Sequence, residues 1–201
     1  MRVRADSSDR VSAAAPEAVF LVGFMGAGKS SVGAALAHRL NWVFEDLDDR
    51  IERRERRSVA QIFRESGEPA FRRAEHSALQ DVLGGIHNQA RVVALGGGAF
   101  VQAPNAALLR SSGVPIVFLD APLEELWERC CKQASEAAAS RPLLRSLDEF
   151  RDLHDRRRPH YSEASLTIQT GGRTVDEIAG EIAAKLGLRT LEHRSKEGDV
   201  E

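Results

Sequence analysis

The sequence predicts an α/β domain, a parallel β-sheet covered on both faces by helices in three layers. Three observations predict it. Short apolar runs alternate with longer amphipathic stretches along most of the chain. The runs are continuously apolar rather than alternating, as strands buried on both faces are. The chain is 201 residues long, 42% hydrophobic and 29% charged, which fits one globular domain with short tails.

Each element follows in order. Ala18 to Val22 reads as a buried strand ending in a glycine-rich turn, and Lys29 to Leu40 carries Val32, Ala35, Leu36 and Leu40 at helical spacing. Trp42 to Phe44 is a second strand, ending at Asp46-Leu47-Asp48, and Asp49 to Arg57 is a charged helix. Ser58 and Gln61 form a capping box for a helix bearing Val59, Ile62 and Phe63. Pro69 starts a further helix with Phe71, Ala74, Ala78, Leu79 and Val82 inside. Arg91 to Leu95 is a third strand, stopped by Gly96-Gly97-Gly98. A short helix runs from Pro104 to Ser112, with Gly113 as its stop. Ile116 to Leu119 is the fourth strand, and Leu123 to Ala137 a helix with Leu126 and Trp127 inward. Residues 138–147 read as a loop, and Leu147 to Tyr161 as a basic helix broken near Pro159. Leu166 to Gln169 is the fifth strand, and Val175 to Leu186 an amphipathic closing helix. We expect a domain over 17–188, a lid over about 132–147, and flexible polar tails at 1–16 and 189–201.

With 28 Lys+Arg against 30 Asp+Glu, the net charge is -2, which argues against nucleic-acid binding by bulk charge. No apolar run reaches the roughly 18 residues that span a bilayer, so no membrane role is expected. Met1 to Pro16 has no apolar h-region. The only cysteines, Cys130 and Cys131, lack metal-site spacing and read as free thiols on a helix, pointing to the cytoplasm.

Gly23-Phe24-Met25-Gly26-Ala27-Gly28-Lys29-Ser30 matches the P-loop pattern G-x-x-x-x-G-K-[ST], with a strand before it and a helix after it. Backbone N–H groups in such a loop wrap phosphates, and the helix dipole adds positive potential. Lys29 would reach the terminal phosphates and Ser30 would bind Mg²⁺. The motif indicates a nucleoside triphosphate without fixing its use. A guanine-reading N/T-K-x-D segment is absent, and the third strand ends in glycines rather than D-x-x-G, so a GTPase switch is excluded. A motor module needs a partner's arginine, whereas this chain has its own supply.

Asp46 and Asp48 would both face the carboxyl edge of the sheet by strand alternation, one orienting a metal-bound water and the other a substrate hydroxyl. A strand-end turn or a helix cap is the plain alternative. Arg72 can pair with Glu75 one turn on, and Arg157 lies in the run Arg156-Arg157-Arg158, so two fixed arginines could fork a carboxylate. The Gly96-Gly97-Gly98 turn lets backbone approach a ligand closely. Arg141, in Arg141-Pro142-Leu143-Leu144, is a lid arginine able to neutralise a transferring phosphoryl group, or a plain exposed loop residue.

Taken together, these stretches resemble the shikimate kinase family, of the nucleoside-monophosphate-kinase-like P-loop fold. The resemblance runs in order from the Gly23 loop through Phe44-Glu-Asp-Leu-Asp48, Ile62-Phe63, Gly67-Glu68, Phe71-Arg72-Arg73 with Glu75, Leu95-Gly-Gly-Gly98 and Arg141-Pro-Leu-Leu144 to Arg157, Pro159 and Tyr161. It implies a five-stranded parallel sheet in order 2-3-1-4-5 and transfer of the γ-phosphoryl group of ATP to the 3-hydroxyl of shikimate, with Mg²⁺. It implies ATP held by Gly26, Ala27, Gly28, Lys29, Ser30, Ser31, Arg129 and Arg141, with Lys29 and Arg141 on the transferring group. Asp46 would hold the metal through water. Asp48 would hold the acceptor hydroxyls and can take the proton. Arg72 and Arg157 would grip the carboxylate beside Gly96, Gly97 and Gly98. A monomer is expected. The runner-up is a related small-molecule kinase such as a gluconate kinase, and a non-catalytic homologue is the third reading.

Overall fold

A computed structural model of the chain describes residues 16–136 and 146–189. The order of elements is β1 (Ala18–Val22), α1 (Lys29–Leu40), β2 (Val43–Asp46), α2 (Leu47–Glu55), α3 (Val59–Gly84), β3 (Arg91–Ala94), α4 (Ala103–Ser111), β4 (Ile116–Asp120), α5 (Leu123–Glu136), α6 (Leu147–Tyr161), β5 (Leu166–Gln169) and α7 (Val175–Lys185). The five strands are parallel in the order β2-β3-β1-β4-β5. Both the sheet and its order agree with the expectation.

The two middle strands explain the core. Every residue of β1 and of β4 is buried, as the apolar runs Ala18–Val22 and Ile116–Leu119 require, with Asp120 closing β4. Phe20 stands in register with Val93 on one side and Ile116 on the other. Val32 and Leu36 of α1 and Ile178 and Ile182 of α7 join these strands in one core, with α1 packed against α7. The edge strands β2 and β5 are short and carry Glu45, Asp46, Thr167 and Gln169, which blunts them against further pairing.

Several element boundaries shift by a residue or two, and three differences bear on the site. The charged helix begins at Leu47, two residues early, because Asp46 caps it. The helices expected on either side of Gly67 run on as α3, kinked where Gly67 takes φ 76° and ψ 169°, with the predicted capping box of Ser58 and Gln61 at its start. The helix α6 is not broken near Pro159 but continues to Tyr161. Pro159 is exposed in the last turn, so the hydrogen bond it forgoes is to a solvent-facing carbonyl. No helix among the described residues is long and apolar enough to cross a membrane.

Candidate active site

The nucleotide loop occupies the carboxyl end of the central strand β1. Gly28, the N-cap of α1, has φ 85°, a left-handed conformation that glycine adopts without steric cost. It offers no capping side chain, so the first-turn N–H groups of α1 are left facing the loop. Lys29 lies across that loop, its Nζ donating to the carbonyls of Gly23 and Phe24 at 3.0 Å each. Ser30 donates from Oγ to Asp46 Oδ2 at 2.8 Å, joining α1 to the end of β2.

The acidic pair is aimed by a helix cap, not by strand alternation as expected. The strand ends at Asp46, whose Oδ1 accepts the N–H of Asp48 at 3.0 Å, while Asp48 itself sits in the first turn of α2. Asp46 therefore turns one oxygen to Ser30 and the other to the backbone of Asp48. The Asp48 Oδ1 atom is buried and has no hydrogen-bond partner among the described residues. Burial pushes the Asp48 carboxyl up to about 6, reinforced by Asp46 and by Glu52 and Asp49, with Lys29 pulling the other way. A buried acceptor atom left open beside a lysine is suited to receive a proton.

The Gly96-Gly97-Gly98 turn gathers the rest. A Cβ on Gly96 would stand 2.7 Å from Asp48 Oδ1, and one on Gly98 would stand 2.8 Å from Arg72 Nη2. A Cβ on Gly97 would lie 3.6 Å from Arg157 Nη1 and 3.9 Å from the Met25 nitrogen of the nucleotide loop. Three consecutive glycines thus touch the acid and both arginines.

Each arginine is held. Arg72 donates from Nη1 to both oxygens of Glu75, at 3.0 and 3.2 Å, and from Nε and Nη2 to Glu68 Oε1 at 3.1 and 2.9 Å. Burial would lower the Arg72 guanidinium pKa, but Glu75 and Glu68 outweigh it and hold it above its usual value. Its guanidinium carbon also lies 5.2 Å from the centre of the Phe71 ring. Glu75 is itself 1% exposed, and burial raises its pKa against the pull of Arg72.

The helix α6 supplies the second arginine and ties it to the nucleotide loop. Tyr161 donates its hydroxyl to the Gly97 carbonyl. Burial raises the Tyr161 pKa to about 12, while the neighbouring Arg157 pulls it down. Arg158, next to Arg157, donates to Asp120 Oδ2 at the end of β4 at 2.7 Å. One and two turns earlier, His154 and Phe150 pack edge-on against Phe24 of the nucleotide loop, with ring centres 5.3 and 5.0 Å apart. Trp127 of α5 packs in turn on Phe150.

Arg129 lies beside the nucleotide loop, donating to Glu125 Oε2 at 2.8 Å and to the Gly26 carbonyl at 3.4 Å. Ser31 is exposed in the first turn of α1. Arg141 lies outside the described residues, as does most of the expected lid. Cys130 is buried and Cys131 exposed on α5, and neither forms a disulfide among the described residues. Sequence reasoning passed over Asn105, the Asp120–Arg158 pair and the Phe24–His154 contact. Asn105 had one signal, a polar side chain among the apolar residues of α4.

Ser30 and Asp46 would suit a hard cation such as Mg²⁺, since a hydroxyl and a carboxylate are oxygen donors. No group of three or more His, Cys, Asp or Glu that could form a dedicated metal cage occurs among the described residues.

Known proteins resemble most of this chain. A family model described as shikimate kinase matches residues 25–187. A shikimate kinase from Cereibacter sphaeroides is 39% identical over 183 residues, 90% of this chain and 87% of the relative. The solved structure of a shikimate kinase from Acinetobacter baumannii in complex with shikimate is 35% identical, with a TM-score of 0.76 over 87% of this chain and 94% of the other. A gluconokinase from Sinorhizobium meliloti is only 18% identical, with a TM-score of 0.52 over 86% of this chain and 93% of the other, a likeness of fold alone.

Proposed function

This chain belongs to the shikimate kinase family, and on that premise we propose a division of labour among its residues. The activity is ATP-dependent phosphorylation of the 3-hydroxyl of shikimate. The observation that carries the residue assignment is the succession of Asp48, Arg157 and Arg72 along the Gly96–Gly98 turn, next to the Lys29 loop. It supports a hydroxy-acid lying with its hydroxyl toward the phosphates and its carboxylate toward the arginines.

Arg72 and Arg157 grip the carboxylate, because two guanidinium groups held by acids or by a buried phenol present donors in a fixed direction. The glycine turn forms the floor under the ring, where a side chain would take the acceptor's space. Asp48 Oδ1 accepts the proton of the attacking hydroxyl. A pKa near 6 leaves it ionised at neutral pH and still basic enough to hold the proton. The loop amides, including those of Gly26, Ala27, Gly28 and Ser31, cradle the phosphates, and Lys29 and Arg141 neutralise charge on the transferring group. Arg129 takes the adenine side. Ser30 holds Mg²⁺, with Asp46 acting through water, and the ion when bound neutralises phosphate charge. We also infer a monomer, since one chain supplies both halves of the site, and a cytoplasmic enzyme.

The test is a coupled ADP-release assay with shikimate, gluconate and nucleoside monophosphates offered separately. Turnover with shikimate alone is expected. Turnover with either alternative and none with shikimate would overturn the assignment.

A further inference from the structure

Behind the carboxylate grip lies a largely buried polar chain, Asn105 with His76 and Glu75. Asn105, in the first turn of α4, is 1% exposed. Its Nδ2 faces Glu75 Oε2 at 3.5 Å, and its Oδ1 lies 2.7 Å from Nδ1 of the partly buried His76. The orientation of the amide follows from chemistry. A carboxylate clamped by an arginine only accepts, so the NH₂ group must face Glu75. The carbonyl then faces His76, and His76 Nδ1 must be the protonated nitrogen. Donation runs from His76 to Asn105 to Glu75, and Arg72 meets the same carboxylate from the other side.

Two acids compete for Arg72. Glu75 is 1% exposed on its side chain and Glu68 is 61% exposed. An arginine that loses its inner partner is left with Glu68 and solvent, and its fork swings away from the turn. Glu75 has rotamers of its own, and the Asn105 amide is the donor that fixes it from the α4 side. A buried amide is also costly unless both its ends are bonded, so the chain is set as a unit.

We propose that Asn105 is a positioning residue for acceptor capture: held by His76, it fixes Glu75 and through it aims Arg72 at the carboxylate position beside Gly98. This rests on the reading of Arg72 as a carboxylate grip. Wild-type turnover with shikimate tests that reading separately.

The experiment is steady-state kinetics with both substrates varied, for Asn105→Ala and His76→Ala, each also in an Arg72→Ala background, with melting curves alongside. Asn105→Ala should raise the KM for shikimate about tenfold, the size of one lost hydrogen bond to a charged group. His76→Ala should raise it about threefold. In both, the KM for ATP and kcat should stay within about twofold of wild type. In the Arg72→Ala background neither substitution should lower kcat/KM for shikimate further, since no guanidinium remains to be aimed. An unchanged KM for shikimate, parallel losses toward ATP, or full multiplication of the losses in the Arg72→Ala background would each overturn the proposal. If Asn105→Ala fails to fold, His76→Ala and its double variant decide it by the same comparison, because His76 lies only partly buried.

Discussion

The backbone of Gly96 lies against the carboxylate of Asp48, so close that a Cβ at position 96 would stand 2.7 Å from Oδ1. Asp48 has little room to retreat, because its own N–H is pinned by Asp46. We expect Gly96→Ala to fold but to displace the acid by a substantial fraction of an ångström, lowering kcat by about 100-fold. Steady-state assays at saturating ATP and shikimate check this, and a kcat within threefold of wild type would contradict the role given to Asp48.

Gly98→Ala should behave differently. Its Cβ would meet the Arg72 guanidinium at 2.8 Å, the far end of a long and flexible side chain. The clash is relieved by moving Arg72, so stability should change little. The KM for shikimate should rise about tenfold or more while the KM for ATP holds. Equal rises in both KM values would show that the turn serves the nucleotide as well.

Asp48 sets two pH dependences of opposite sense. Its folded-state pKa of about 6 lies above the ordinary value of 3.8 for an aspartate carboxyl. The proton acceptor is lost as pH falls through about 6, and kcat/KM for shikimate should fall about tenfold per unit below it. Stability runs the other way. A carboxyl with a raised folded pKa binds its proton more readily when folded, so its contribution is fully present below 3.8 and is lost as pH rises to about 6. Asp48→Asn should therefore be more stable than wild type at pH 7.5, by on the order of 3 kcal/mol, with the gap narrowing to about half at pH 5 and closing only below 3.8. A gap that widens in acid would refute the burial of this charge.

Lys29→Ala removes the cation that spans the nucleotide loop. Turnover should drop by about 1000-fold or more at any shikimate concentration, while shikimate still binds in calorimetric titration. Loss of shikimate binding along with turnover would mean that Lys29 also shapes the acceptor side.

Much of this was legible in residue patterns, for reasons that can be named. The continuous apolar runs of β1 and β4 are buried on both faces, and Ser58 and Gln61 cap α3 as their spacing requires. The P-loop and the glycine turn were readable because backbone geometry there demands glycine. The aim of Asp48 was misread, since Leu47 between two acids looks alike in a strand and in a capped first turn. Pro159 suggested a break because its tolerance depends on lying in an exposed final turn, which no local pattern states. Asn105 and His76 meet across 29 positions of chain, and such pairings leave no periodic trace.

The helix α6 reaches three places at once: Phe24 through His154 and Phe150, Gly97 through Tyr161, and Asp120 through Arg158. The berth for the nucleotide and the berth for the acid are therefore not independently evolvable. A descendant that exchanged its acceptor by tilting this rod would disturb its energy donor too.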